Sequence, residues 1–289
     1  MAKFRFKKIY MEITSVCNKN CSFCLGTTRE PVFLSIEKFE SRIKQVANLG
    51  EKIYLYVAGE PLLHPNLKDF LEISQNYGAC VAITTNGTLI EEQFYALLSP
   101  ALQEFNVSVH SAQDENEVEK IVCSALKLAD ERDGLPISFR FWNCENAQSF
   151  HYHKTVEILQ KKFPEINIIP HTSSGSKKQK ITQNLFLHFD SPFSWDKNAA
   201  RQESGFCYGL QTHFAILAQG TVVPCCLDKN GEIALGDIDE KNILQILDSP
   251  RARAICGGFS KKIMVEEVCR KCAFARQKFA QKVNNKSCL

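Results

Sequence analysis

The sequence predicts an α/β fold built on parallel strands, followed by a smaller module. Two observations predict it. Strand-like and helix-like runs alternate through the first two thirds of the chain, and the alternation stops at a polar stretch near residues 173–184. Repeated βα units with short connections require a parallel sheet, open or curled into a barrel. In either form the chemistry sits at the carboxyl ends of the strands.

The elements follow in order. Strand-like runs are KKIYMEIT (7–14), KIYLYV (52–57), CVAITTN (80–86), EFNVSVH (104–110), ISFRFWN (137–143) and INIIPH (166–171). Between them lie helix-like runs at 35–50, 66–78, 91–99, 115–134 and 149–163. Ser35, with Glu37 and Lys38 behind it, and Gly50 give the first helix ordinary start and stop signals. SSGSKKQKITQN (173–184) reads as a linker or exposed loop. Beyond it, two apolar runs flank Gln219-Gly220 in HFAILAQGTVVPCCLD (213–228), the pattern of a hairpin. Two helix-like segments close the chain, NILQILDSPRARAI and MVEEVCRKCAFARQKFAQK. The division falls at about residue 180, giving a core over 1–180 and a linker with a small module over 181–289.

Composition narrows the function classes. With 44% hydrophobic and 23% charged residues over 289 positions, the chain is ordinary globular material. A net charge of +3 is too mild to argue for nucleic acid, which needs a concentrated basic face. No apolar run is long enough to span a bilayer, and MAKFRFKKIYMEI lacks the apolar segment of a signal peptide. The expectation is a cytosolic protein with no membrane partner. In that reducing compartment thirteen cysteines are better metal ligands than disulfide partners.

VCNKNCSFC (16–24) places three of them in one short loop, spaced C-x3-C-x2-C, directly after the first strand. Three thiols so close are a metal site. They are either three ligands of a structural zinc with a distant fourth, or the ligands of an iron–sulfur cluster whose fourth iron stays open. The neighbouring motifs separate the two. Phe23 precedes the third cysteine, AGEPLLHP (58–65) follows the second strand, TTNGTL (84–89) ends the third, and SVHS (108–111) ends the fourth. Over residues 7 to 171 this set resembles the radical S-adenosylmethionine superfamily.

That resemblance implies a partial (β/α)6 TIM-like barrel. It also implies a [4Fe–4S] cluster on Cys17, Cys21 and Cys24, whose open iron chelates S-adenosylmethionine. One electron from an external donor of the flavodoxin or ferredoxin type would split the sulfonium, and the 5′-deoxyadenosyl radical would take hydrogen from a substrate. Gly59, Glu60 and Pro61 would meet the methionine ammonium, Phe23 the adenine, and Ser108 and Ser111 the ribose hydroxyls or the carboxylate. Arg140 is a candidate fork for the methionine carboxylate, with a strand-face ion pair as its ordinary reading.

A second set, Cys207, Cys225, Cys226, Cys269 and Cys272, lies in the last third. With the hairpin GTVVPC and the pair CRKC it resembles the C-terminal twitch or SPASM extension of the same enzymes, a hairpin plus helices. LGDI (235–238) and the helix after it fit that extension too. The resemblance implies one auxiliary [4Fe–4S] cluster on Cys207, Cys225, Cys269 and Cys272, with Cys225 preferred because it directly follows the hairpin proline. Cys226 is then a small packed residue, and a structural zinc is the competing occupant. Cys80, Cys123, Cys144 and Cys256 fall on strand or helix patterns and are expected in the core, and Cys288 in a frayed tail.

Among the histidines, His64 is expected to fix a turn, and His110 to be packed or to line the cavity. His151 and His153 are expected to be solvated on an outer helix. HFDSPFSW (188–195) is either a substrate-facing loop or packing between the modules. Asp190 and Arg140 are the candidates for taking up a substrate proton.

The function expected from all this is hydrogen abstraction from a small molecule or peptide, ending in net oxidation assisted by the auxiliary cluster. RNA modification is a rival that the scattered SKKQK, RAR and RQK runs do not favour. A non-enzymatic iron–sulfur carrier or redox sensor is another, and it would not need the nucleoside-binding motifs. Because the first strand starts near residue 7, a leader-binding domain for a peptide is expected to be absent or carried by another protein.

Overall fold

The computed structural model describes residues 6–24, 26–142, 149–168, 178–190 and 200–276. Strand β1 (Phe6–Met11) leads through the cysteine loop to helix α1 (Ile36–Val46), then β2 (Gly50–Tyr54) and α2 (Leu67–Asn76). Next come β3 (Val81–Thr85), α3 (Phe94–Leu97), β4 (Leu102–Val107) and α4 (Glu115–Glu131). The core continues with β5 (Ile137–Trp142), α5 (Phe150–Lys162), a short β6 (Lys178–Lys180) and β7 (Leu185–Asp190). The last third holds the hairpin β8 (His213–Ile216) and β9 (Thr221–Val223), then β10 (Gly236–Asp237), α6 (Ile243–Leu247), α7 (Pro250–Ser260) and α8 (Glu267–Arg270).

All ten strands form one sheet, in the order β10-β9-β8-β1-β2-β3-β4-β5-β7-β6. From β8 across to β7 every neighbouring pair is parallel, and β6, β9 and β10 are antiparallel additions at the edges. The sheet curls into a partial barrel, and period-2 alternation sorts its side chains. Ile9, Met11, Ile53, Val81, Ile83, Phe214 and Ile216 pack outward under the helices in the large core. Tyr10, Tyr54, Ala82, Ala215 and Leu217 turn inward and make a separate small cluster in the lumen. On β5, Ile137, Phe139 and Phe141 are buried outward, which puts Ser138, Arg140 and Trp142 on the lumen face.

Helix starts follow local chemistry. The Ser35 hydroxyl accepts from the Lys38 N–H at 3.3 Å, and Asp114 accepts from the Glu117 N–H at 2.9 Å, each satisfying a backbone donor the first turn cannot.

Three expectations need correction. The sixth parallel strand is Leu185–Asp190, not 166–171. Residues 166–168 form no ladder, and 169–171 lie outside the described residues. LFLHFD alternates, with Leu185, Leu187 and Phe189 buried, so it completes the sheet beside β5, with Arg140 opposite His188. This strand lies beyond residue 180, and the sheet is continuous across that point. The helix expected over 91–99 shortens to Phe94–Leu97. Cys80 and Cys123 are exposed rather than core, Cys80 just ahead of β3 and Cys123 on the outer face of α4. Cys144 and Cys288 lie outside the described residues. No helix among the described residues is long and apolar enough to cross a membrane.

Candidate active site

The cysteine loop leaves the carboxyl end of β1 and is pinched shut at its base. The Thr14 hydroxyl donates to the Val32 carbonyl at 2.9 Å, the Ser15 N–H to the same carbonyl at 3.1 Å, and the Val32 N–H returns to the Ser15 hydroxyl at 2.9 Å. Its tip is tethered sideways. Asn86 donates to the Asn18 side-chain oxygen at 2.8 Å, Asn18 to the Thr88 hydroxyl at 2.9 Å, and Lys19 ion-pairs with Glu117 on α4. These bonds fix Cys17, Cys21 and Cys24 on one short arc. Burial pushes the Cys17 and Cys21 thiols up, and the neighbouring cysteines push them further. Protons therefore sit on these sulfurs until a metal displaces them.

The GEP segment is held against this loop by close backbone approach. A Cβ on Gly59 would lie 2.2 Å from the Thr14 carbonyl oxygen and 2.8 Å from that of Val16, so only glycine fits. The Glu60 N–H donates to the Val16 carbonyl at 2.8 Å. The Glu60 side chain does not reach a ligand. It is 3% exposed and accepts from the Leu62 N–H at 3.0 Å, the Thr85 hydroxyl at 2.7 Å and the Asn86 N–H at 2.7 Å. Glu60 thereby clamps the ends of β2 and β3 together, and Pro61 opens the tight turn that follows.

A cavity of about 390 Å³ opens beside the loop, lined by Cys21, Phe23, His110, Ser111, Trp142 and His151 among others. The Phe23 and His110 rings are 4.9 Å apart, and His110 stacks on Trp142 at 5.1 Å with an interplanar angle of 13°. His110 Nδ1 lies 3.0 Å from the Arg140 carbonyl, so it carries the proton and Nε2 is free to accept. Burial holds this imidazole at about 4, hence neutral. The Ser111 hydroxyl donates to the Ser108 carbonyl at 2.7 Å and keeps its lone pairs for a ligand, while Ser108 is half-buried at the end of β4.

Two histidines behave differently from one another. His64 is fully buried and fixes a turn as expected, with Nε2 3.0 Å from the Leu34 carbonyl and Nδ1 accepting from the Asn66 N–H at 3.1 Å. His151 is not solvated. It reaches from α5 to the cavity wall, with Nε2 2.9 Å from the Ala112 carbonyl and Nδ1 2.8 Å from the Ser149 hydroxyl. His153 is exposed.

The second cysteine set gathers at the far side of the β8–β9 hairpin. Burial raises Cys225 far above the ordinary thiol range, with Cys207, Cys226 and Cys269 adding to it. Cys269 in turn feels Cys207 and Cys272. Cys225 thus lies near Cys207 and Cys269, and Cys272 near Cys207 and Cys269. Cys226 turns the other way, into the inner cluster, where burial pushes its thiol up to about 11 against the lowering effect of a hydrogen bond with Tyr10. Backbone donors already point at the sulfurs, Gly209 N–H at Cys207 (3.4 Å) and Ala275 N–H at Cys272 (3.4 Å). Among the described residues no three His, Cys, Asp or Glu side chains converge as ligands of a single ion would. A cubane binds each thiolate to a different iron, so its ligands stand farther apart than those of a single ion.

Several residues that sequence reasoning passed over join the two sets. Glu12, fully buried at the end of β1, accepts from Arg29 (2.8 Å), the Ala58 N–H (3.0 Å) and the Ala218 N–H (2.8 Å). Arg29 continues to the Lys229 carbonyl (2.5 Å) and the Gln219 side chain, and Thr27 bonds Asn230 at 3.0 Å. The only sequence signal was a carboxylate in an apolar strand.

Comparison with known proteins decides what this arrangement is. The family model described as the radical SAM superfamily matches residues 11–134, and the iron–sulfur cluster-binding SPASM domain matches residues 207–273. This chain belongs to the radical SAM superfamily. It is a radical SAM enzyme with a C-terminal SPASM-type module, and its cofactors are [4Fe–4S] clusters and S-adenosylmethionine.

Similar curated proteins include GTP 3′,8-cyclase of Aquifex aeolicus, 33% identical over 132 residues (43% of this chain, 41% of that one). Another is the AdoMet-dependent heme synthase of Methanosarcina barkeri, 32% identical over 111 residues (37% and 32%). The matches thus span well under half of these relatives. Among solved structures, BtrN in complex with AdoMet and 2-DOIA shares the fold at a TM-score of 0.61 and 19% identity, covering 94% of each chain. Streptococcus suis SuiB bound to S-adenosylmethionine does so at 0.61 and 16%, covering 87% of this chain and 68% of that one.

Proposed function

We propose that this enzyme abstracts hydrogen from a small molecule or a peptide held between the core and the SPASM-type module, and that the outcome is a net two-electron oxidation. The observation that carries this reading is the ladder of β8 on β1, which sets the hairpin leading to Cys225 beside the strand that leads to Cys17, Cys21 and Cys24. Cys17, Cys21 and Cys24 are proposed to hold the cofactor-binding cluster, and Cys207, Cys225, Cys269 and Cys272 the auxiliary one. When bound, the first cluster with S-adenosylmethionine supplies the hydrogen-abstracting radical, and the second takes up the electron left on the substrate.

The chain's own residues bind and orient. The backbone of Gly59, Glu60 and Pro61 is proposed to face the methionine end of the cofactor. Phe23, with His110 tilted against it, offers an aromatic surface for adenine, and the Ser108 and Ser111 oxygens suit the ribose. Neutral His110 can accept a hydrogen bond there without adding charge. An external one-electron donor of the flavodoxin or ferredoxin type completes the cycle. BtrN and SuiB support the substrate class by analogy, since one is seen with 2-DOIA and the other with its precursor peptide.

Iron content and nucleoside release test the reading together. Anaerobically reconstituted protein should carry about eight irons per chain, and a Cys17→Ala/Cys21→Ala/Cys24→Ala variant about half that. Reduced wild-type protein with S-adenosylmethionine should release 5′-deoxyadenosine, and the triple variant should not. Equal release from both would overturn the proposal.

A further inference from the structure

We propose that Arg140 seats an anionic group of the substrate, a carboxylate or a phosphate, inside the barrel lumen. The inference rests on the reading above that the lumen holds the substrate, and it assigns Arg140 to the substrate rather than to the methionine carboxylate.

Arg140 lies on the lumen face of β5, two residues before the strand ends. Its guanidinium is 4.6 Å from the Trp142 ring, which fixes the plane of the fork. Its Nε is fully buried and has no hydrogen-bond partner. The acid nearest in kind, Glu104 on β4, is already committed, accepting from Lys52 at 2.6 Å, Tyr54 at 3.2 Å and Asn106 at 3.0 Å. Among the described residues no carboxylate forms an ion pair with this guanidinium, and proteins keep such a charge where a ligand supplies the counter-ion. An oxyanion fits the planar fork better than any neutral group.

The neighbours say which ligand. Arg140 acts electrostatically on Tyr54 and Tyr56, side chains of the inner cluster. Thr84, beside Tyr56, offers a buried hydroxyl oxygen with no hydrogen bond of good geometry. The result is a cation among neutral hydroxyl side chains on the lumen side of the sheet. An anion anchored there would hold the rest of the molecule toward the mouth, where Ser111 and His110 stand.

Paramagnetic relaxation tests this directly. The reconstituted protein, saturated with S-adenosylmethionine and reduced, is titrated with inorganic phosphate and separately with carboxyl-13C benzoate. The 31P or 13C relaxation enhancement caused by the nearby clusters is followed. Wild type should give a saturable enhancement with at least one probe, and the probe that saturates at lower concentration identifies the anion. Arg140→Gln should lose it at least fivefold and Arg140→Lys should keep part of it, with iron content and S-adenosylmethionine affinity within about threefold of wild type. Undiminished enhancement in Arg140→Gln, or no saturable enhancement in wild type, would overturn the assignment. So would a tenfold loss of cofactor affinity in Arg140→Gln with phosphate competing against the cofactor. Absence of 5′-deoxyadenosine from wild type would instead sink the proposed function and leave the anion result standing.

Discussion

Gly59 shows how much a single hydrogen atom in place of a methyl group can decide. Its neighbours are backbone carbonyls, which cannot swing aside as a side chain could, so Gly59→Ala must push the GEP segment away from the cysteine loop. The expected outcome is loss of roughly half the bound iron with the auxiliary set still loaded, read by iron analysis and by electron paramagnetic resonance of the reduced protein. Full iron with unchanged spectra would show that the loop tolerates the displacement. Glu60 acts beside it in a different way: its carboxylate is spent on three internal donors, so what this segment offers a ligand is backbone.

At the scale of elements, the hairpin segment is fastened to helix α1 through Asp239, which pairs with Arg42 and Lys38. Arg42, fully buried, reaches Asp239 through Nε and Nη2, both at 2.8 Å, and gives Nη1 to the carbonyls of Leu217 (3.2 Å) and Ala218 (3.1 Å). Asp239→Asn leaves that guanidinium without its counter-charge and should cost about 3 kcal/mol, measured by urea unfolding. Hydrogen bonds from Arg42, with Lys38 alongside, hold the Asp239 carboxyl below its ordinary range. Its contribution is therefore complete above that range and disappears as pH falls through the lowered folded value. The variant should show a flatter acid limb.

The same scale shows what could be read in advance. The first five strands and the cysteine, GEP, TTNG and SVHS segments were legible because each ends a strongly apolar strand with small or polar residues. The hairpin was legible from Gln219-Gly220. Strand β7 was hidden because it follows a polar stretch, and the aromatics of HFDSPFSW (188–195), Phe189 among them, suggested a loop or module packing rather than the alternation of Leu185, Leu187 and Phe189 that fills the outer core. His151 was misread because α5 carries polar residues on more than one side, and helical spacing alone does not say which side meets the cavity. Trp142 and Arg140 share the lumen face by their i, i+2 spacing, a period-2 signal present in ISFRFW from the start.

For the whole molecule, the continuous sheet makes the two sequence modules one structural unit. Strand β8 covers the outer edge of β1, and Glu12, Arg29 and Thr27 lock the cysteine loop to the segment 217–230. Removing residues 201–289 would uncover β1 as a naked parallel edge, strip buried Arg42 of its partners and take from Glu12 the Ala218 N–H. The truncated chain should be insoluble when expressed, whereas the full chain should unfold in urea in one transition seen alike by near- and far-ultraviolet circular dichroism. A soluble, cooperatively folded fragment ending at residue 200 would contradict this view.

The parallel register of Lys8 with His213 through Met11 with Ile216 carries a last consequence. The spacing of the two sulfur groups is set like that of two marks on a ruler, by ladder rungs, and is indifferent to how much chain runs between Asp190 and His213. That stretch could be lengthened or shortened while the ladder beside β1 stays the same.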